Sequence, residues 1–175
     1  MPSEQLTIHA RVILPADTDV RGRVTIGAGT VVHPRAKIDA TLGPITVGEN
    51  CLLEEHVHLI STDKGMTIGD GNVFRVHAHV SSPQIGNCNV FETGCHVSDS
   101  QTISNFCILS AGCKLGHSDH EHSMLPERTV VYGHDAMQHV WSGDGMGQHL
   151  ALHAKHLQYL RDTIPRSHKL RVIRS

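Results

Sequence analysis

Aromatic side chains make up only 3% of this 175-residue chain, which has one Trp, two Tyr and three Phe. A core with so few large rings must be filled by Val, Ile and Leu, which suits a narrow interior. Charge of either sign is also in short supply. The net charge of −2, from 15 Lys and Arg against 17 Asp and Glu, leaves no basic surface of the strength a nucleic-acid binder shows. The apolar runs are far too short to span a bilayer. The opening residues MPSEQLTIHA read as neither a secretory signal nor an N-myristoylation site, so a cytosolic chain is expected. GxSxG and the GxxxxGK phosphate-loop motif are missing, which removes two common signatures of catalysis. No low-complexity linker divides the chain, and its length suffices for one substantial core.

What the chain does have is a period. An apolar residue recurs at every sixth position through Ile8, Leu14, Val20, Ile26, Val32 and Ile38. The phase resets and resumes at Val47, Leu53, Leu59, again at Ile68, Phe74, Val80, and finally from Ile85 through Phe91, Val97, Ile103, Leu109 and Leu115. The fourth residue after each is small or compact, as at Thr18, Thr30, Ala36, Cys51, Asn72, Ala78, Asn89, Cys95, Cys107 and Cys113. A helix repeats at 3.6 and a half-buried strand at 2, whereas six fits a short strand plus a tight corner. Three sixes close a triangular coil, and repetition at this scale means a solenoid.

Ile-Gly or Val-Gly pairs fall once per coil, at Gly27, Gly48, Gly69 and Gly86. Against an ideal of eighteen, the first two intervals carry three extra residues each, assigned to 39–46 and 61–67, and the third lacks one near Pro83. Such changes belong at corners, where loops reach solvent. Phe74 and Phe91 are read as occasional large plugs of the core.

Five cysteines contain no CxxC pair. Cys95 and Cys113 stack in adjacent coils, where a disulfide is conceivable, but four of the five occupy the small inward site. In a cytosolic chain they read as reduced core residues. Asn72 and Asn89 share that site and are expected to bond to one another along the solenoid.

The period is lost after Leu115 through GHSDHEHSMLPERT and is expected to recover at Thr129 to Tyr132. From Gln148 the apolar residues Leu150, Leu157, Leu160 and Ile164 take helical spacing, with Pro165 as the expected end. The predicted organisation is a solenoid over residues 1–140, a segment with an amphipathic helix on one flank of the prism over 141–165, and a mobile basic tail over 166–175.

A six-residue period of this form resembles the left-handed parallel β-helix proteins, and the left hand is implied by that resemblance. The segments RGRVTIG, TVVHPRAKI, GPITVGENCLLEE, IGDGNVF, NVFETGCHV and PERTVVYG resemble, in order, the dynactin subunit 6 family. The chain departs from it in having only STDKGMT where a longer acidic, Pro-rich loop is common. The resemblance implies an all-β, left-handed parallel β-helix with a C-terminal helix. It further implies a non-enzymatic, cytoplasmic and cytoskeletal subunit of the dynactin pointed-end complex, without cofactor, supporting dynein-driven cargo transport along microtubules. The implied partners are dynactin subunit 5, as a heterodimer, dynactin subunit 4, and the pointed-end actin-related protein.

Two enzyme classes share this architecture. In the γ-class carbonic anhydrases three histidines bind zinc, and the matching positions here are Ile60, Val76 and Ser81. The Arg-Gly-Asp segment of that family is also missing. His56, His58, His77 and His79 would have to supply a shifted site, with converging ligands and an open position. A hexapeptide acyltransferase would use His117 or His120 as base, in a pocket usually built between subunits.

Two interaction surfaces are predicted. Lys37, His58, His79, His96 and Lys114 each occupy the fifth place after an inward apolar residue, so they should form one outward column. The column reads first as a solvated edge, since exposed charges contribute little, and the sharper alternative is a face that docks an acidic partner or the C-terminal helix, with histidine titration tuning the contact. The second surface is the first coil, represented by Ile8 and Val12. Only seven residues precede the repeat there, and a solenoid end exposes unpaired strand edges.

Overall fold

The computed structural model describes residues 5–116 and 122–173, and they form a parallel β-solenoid of about six coils with one helix on its flank. Three strand ladders make the faces of the prism. The first stacks residues 19–21, 37–39, His58–Ile60, His79–Val80, His96–Val97 and Lys114–Leu115. The second runs from Gln5–Ile8 through 23–26, 45–47, Met66–Ile68, Gln84–Ile85 and Gln101–Ile103 to Ser123–Leu125. The third joins Val31–Val32, Leu52–Leu53, Val73–Phe74, Val90–Phe91, Ile108–Leu109 and Thr129–Tyr132.

Each inward apolar residue pairs with the equivalent residue of the next coil, as in Val97↔Leu115 and Ile103↔Leu125. The interior is therefore a set of stacked aliphatic layers, with the rings of Phe74 and Phe91 stacked at 4.6 Å. Full burial of each such side chain is worth about 1.5–3 kcal/mol.

Two corners repeat a left-handed turn. One is made by Arg11, Gly29, Asn50, Gly71, Cys88, Phe106 and Arg128, the other by Arg35, His56, His77, Gly94 and Gly112, all at positive φ. The glycines of the Ile-Gly pairs have a different reason. A Cβ on Gly27 would lie 2.5 Å from the carbonyl carbon of Gly48, and one on Gly48 would lie 2.3 Å from Gly69 O. Successive coils touch there through bare backbone.

Four details differ from expectation. Residues 39–46 do not loop out. They stay extended within Lys37–Val47, and the three extra residues form a bulge between the pairs Gly22↔Ala40 and Val24↔Ile45. The period recovers earlier than Thr129, because Ser123–Leu125 pairs in register with Gln101–Ile103. The helix spans Met146–Ser167 and runs through Pro165. So near the end, the missing proline N–H forfeits only one bond, and His168 N closes the turn on Ile164 O at 2.9 Å.

The tail is docked, at least over residues 169–171. Ala16 N donates to Lys169 O at 2.7 Å, Arg171 N donates to Leu14 O at 2.8 Å, and the Arg171 guanidinium donates to Thr18 O. These bonds make an antiparallel bridge, Pro15↔Leu170, along the first edge of the third face. Met137–Val140 pairs antiparallel with Thr129–Tyr132 at the other end of that face. Both edges of the third face are thus covered by the chain itself.

Candidate interaction surfaces

On the first face, Lys37, His58, His79, His96 and Lys114 are consecutive partners in one ladder. The His79 and His96 rings stack at 5.1 Å, while His58 meets His79 edge to face at 4.9 Å. The helix does not cover this column. It lies on the third face, where Leu157, Leu160 and Ile164 pack against the outward residues Ile13, Val31, Leu52 and Val73. Those outward positions are apolar, and burying them is what draws the helix there.

A second column was not anticipated. Arg35, His56 and His77 occupy the neighbouring turn in successive coils, with the His56 and His77 rings stacked at 4.7 Å and 8° apart. Its signal in the sequence is the third place after an inward apolar residue, the left-handed position, where Gly and polar residues are favoured. The two columns enclose a groove of about 390 Å³ lined by Arg35, Lys37, His56, His58, His77, His79, Gly94 and His96. Among the described residues no carboxylate and no aliphatic side chain lines it.

Acidic groups stand at its rim, already engaged. Asp19 is clasped by Arg21 at 2.9 Å. Asp39 accepts from Thr41 Oγ1 at 2.7 Å, and that bond holds its carboxyl below the usual range. Glu55 Oε1 lies 2.9 Å from His33 Nδ1. Burial works to raise the Glu55 carboxyl, but the bond from His33 and the charges around it bring it below its ordinary value. His58 is pushed below the ordinary imidazole range by burial first and by Lys37 second, with Asp39 and Asp19 opposing.

Among the described residues no three His, Cys, Asp or Glu side chains are grouped so as to hold a metal ion. His117 and His120 lie outside the described residues. The cysteines are all free thiols, four of them buried.

The two ends of the prism differ. At the last coils the inward residues Leu115, Leu125 and Val131 are buried, and Ala136 packs against the core. At the first coil Leu6, Ile8 and Val12 touch the core but are only half-buried. Ile8 sits on the end strand, paired on one side with Ile26. The structure brings Ile8 and Val12 together at one end and leaves them remote in sequence from the histidine column.

No family model matches the chain. It is 34% identical over 181 residues to dynactin subunit 6 of Danio rerio, covering 96% of this chain and 88% of that one. The Xenopus tropicalis dynactin subunit 6 is 31% identical over 183 residues, at 97% and 86% coverage. Among solved structures, a hexapeptide transferase family protein from Anaplasma phagocytophilum superposes with a TM-score of 0.78 at 15% identity, covering 90% of this chain and 91% of that one. A putative acetyltransferase from Bacillus cereus gives 0.63 at 13% identity, with 93% and 95% covered. At such identities these two structures speak for the left-handed hexapeptide-repeat fold alone.

Proposed function

The chain belongs to the dynactin subunit 6 family, and from that membership we propose a non-enzymatic scaffold subunit of the dynactin pointed-end complex. In this reading it works in the cytoplasm, on the cytoskeleton, and supports dynein-driven transport along microtubules. Its direct partner is the like-folded dynactin subunit 5. Dynactin subunit 4 and the pointed-end actin-related protein lie beyond that pair.

The observation that carries the pairing is the asymmetry of the two ends. Leu6, Ile8 and Val12 are half-buried at the first coil, whereas the equivalent inward residues of the last coils are buried. The outer edge of Gln5–Ile8 has no strand partner among the described residues, as is also true of Lys114–Leu115 and Ser123–Leu125 at the other end, so the asymmetry lies in the burial. A second solenoid stacked on this end supplies strand partners and covers the open aliphatic layer, contributing about 25 cal/mol for each Å² of apolar surface removed from water. The third face offers no such opening, since both of its edges are covered.

A non-enzymatic role is favoured by the side chains themselves. Ile60, Val76 and Ser81 stand where the zinc histidines of a γ-class carbonic anhydrase fall, and none of the three has a metal-binding nitrogen. The acyltransferase reading has the fold in its favour, and the two bases named for it, His117 and His120, lie outside the described residues.

Co-purification tests the pairing. Ile8→Asp, with folding verified by circular dichroism, is expected to abolish recovery of coexpressed dynactin subunit 5. Val140→Glu, at the exposed opposite end, is expected to leave it intact. The reverse pattern would move the partner to the last coil. Acetyl transfer from acetyl-coenzyme A to an amine acceptor by the purified chain would overturn the non-enzymatic reading.

A further inference from the structure

We propose that the groove between the two histidine columns docks an extended, carboxylate-rich segment of a partner polypeptide, and that it does so more tightly as the pH falls. This surface is distinct from the first-coil end invoked for subunit pairing, and it does not depend on that pairing.

Arg35 and Lys37 are permanent cations, and His56, His58, His77, His79 and His96 complete the polar walls. Without aliphatic side chains, the groove has nothing to offer a hydrophobic ligand or an acyl chain. Its ligand must be recognised through charge and hydrogen bonds. Lys114 extends the same ladder one coil further. The walls repeat at the spacing of the coils, about 4.8 Å, so the donors form a line rather than a point. A line of donors suits a run of carboxylates, whereas a single phosphate would touch one or two of them.

Three carboxylates stand at the rim of the groove. Asp19 is held by Arg21, Asp39 by Thr41, and Glu55 by His33. Arg21 offsets the charge of Asp19, while Asp39 and Glu55 keep theirs at the rim, outside the lining in which Arg35 and Lys37 face an incoming acid. His79 and His96 make further interactions of their own and stack on each other, so the test does not rest on either alone. An imidazole side chain becomes a cation in acid, and five of them line the groove. An acidic ligand stabilises that charged form and so draws the histidine titrations upward, which is the linkage that makes binding pH-dependent.

The test uses the full chain and a fluorescein-labelled peptide of alternating Glu and Ser, with anisotropy read in EDTA at pH ~7.5 and ~5.8, on either side of the imidazole range. Binding is expected to tighten about tenfold or more at the lower pH, roughly 1.4 kcal/mol. The combined variant His56→Gln, His58→Gln, His77→Gln and His79→Gln is expected to lose most of that gain. A control with the same loss of histidines elsewhere, His9→Gln, His134→Gln, His149→Gln and His168→Gln, is expected to keep it. Should the groove variant fail to fold, Lys37→Glu, an exposed single change, is expected to weaken binding several-fold at both pH values. No binding at either pH would overturn the proposal, as would equal losses in groove and control variants. It would also fall if binding appeared only with added zinc, if equimolar inorganic phosphate displaced the peptide, or if phosphatidylserine vesicles bound while the peptide did not.

Discussion

The side-chain amide of Asn89 donates to Oδ1 of Asn72 across 3.1 Å in the fully buried interior, and the same oxygen accepts Asn89 N at 2.9 Å. The two residues form the centre of a column that runs through Thr30, Cys51, Asn72, Asn89 and Cys107. Cys51 N donates to Thr30 Oγ1, Cys107 N donates to Asn89 Oδ1, and the Cys51 thiol donates to Gly69 O. Asn72 Nδ2 and Asn89 Nδ2 in turn serve the carbonyls of Gly86 and Ser104, each at 2.8 Å. This corner therefore satisfies its buried backbone through side chains, one coil to the next.

Asn72→Ala should be costly for that reason. It leaves Asn89 N and Nδ2 without their shared acceptor and takes a donor from Gly86 O, and each buried group left unpaired costs about 1–3 kcal/mol. A loss of about 2–4 kcal/mol is expected, read as a lower urea midpoint at unchanged slope. A loss below about 0.5 kcal/mol would mean the column does not bear on stability.

The helix is attached by a small set of contacts, and they can be tested separately from the solenoid. Leu157 is buried against the third face, and Arg161 donates to Gly29 O at 2.7 Å and to Asn50 Oδ1 at 3.1 Å. Leu157→Ala is expected to cost about 2–4 kcal/mol. Combined with Arg161→Ala, it should free the helix and with it the tail strand at Leu170. Limited proteolysis is then expected to cut within residues 142–173 while leaving the coils intact, with loss of helical ellipticity before loss of the β signal.

The coils were legible because one inward side chain per face leaves a six-residue mark that no turn can blur. The Asn72–Asn89 bond and the outward ladder from Lys37 to Lys114 follow from that same count. What escaped was everything set by position across the prism. Nothing local in Lys37–Val47 distinguishes a bulged continuous strand from a corner loop, because the difference lies in its pairing with Gly22 and Val24. The strand at Ser123–Leu125 was hidden by the polar stretch before it, although Leu125 completes the layer above Ile103. Leu170 looked like part of a basic tail, and its docking depends on an apolar patch and a free strand edge contributed by residues 13–16. The second histidine column was masked in the sequence because its turn position also accepts glycine, as at Gly94.

Thiol chemistry should separate one cysteine from the rest. Burial raises every cysteine, pushing Cys51 up to about 12 and Cys113 up to about 11, while Cys88 alone is half-exposed, on a left-handed turn. Iodoacetamide on the native chain is expected to label Cys88 first, slowly at neutral pH because its thiol is also raised, and faster as the pH climbs. Peptide mass spectrometry should find the other four modified only after denaturation. Early modification of Cys51 or Cys95 would imply that the coils open readily.

Stability and ligand binding should respond to acid in opposite directions at His58. Burial and Lys37 lower its folded-state pKa below the unfolded value of 6.5, so the folded chain favours the neutral ring. The stability this contributes is present above pH 6.5 and is lost as the pH falls through the folded value. In the free protein the unfolding midpoint should therefore drop across this window, and His58→Gln should flatten the drop. With the Glu-Ser peptide bound, imidazolium gains a carboxylate partner and the folded-state titration moves back up, so the same window should become shallower in wild type and change less in His58→Gln. Thermal melts with and without peptide, from about pH 7.5 to 5.5, measure both slopes, spanning histidine's ordinary range. A wild-type slope indifferent to peptide would show that the titrating ring and the docked acid do not meet.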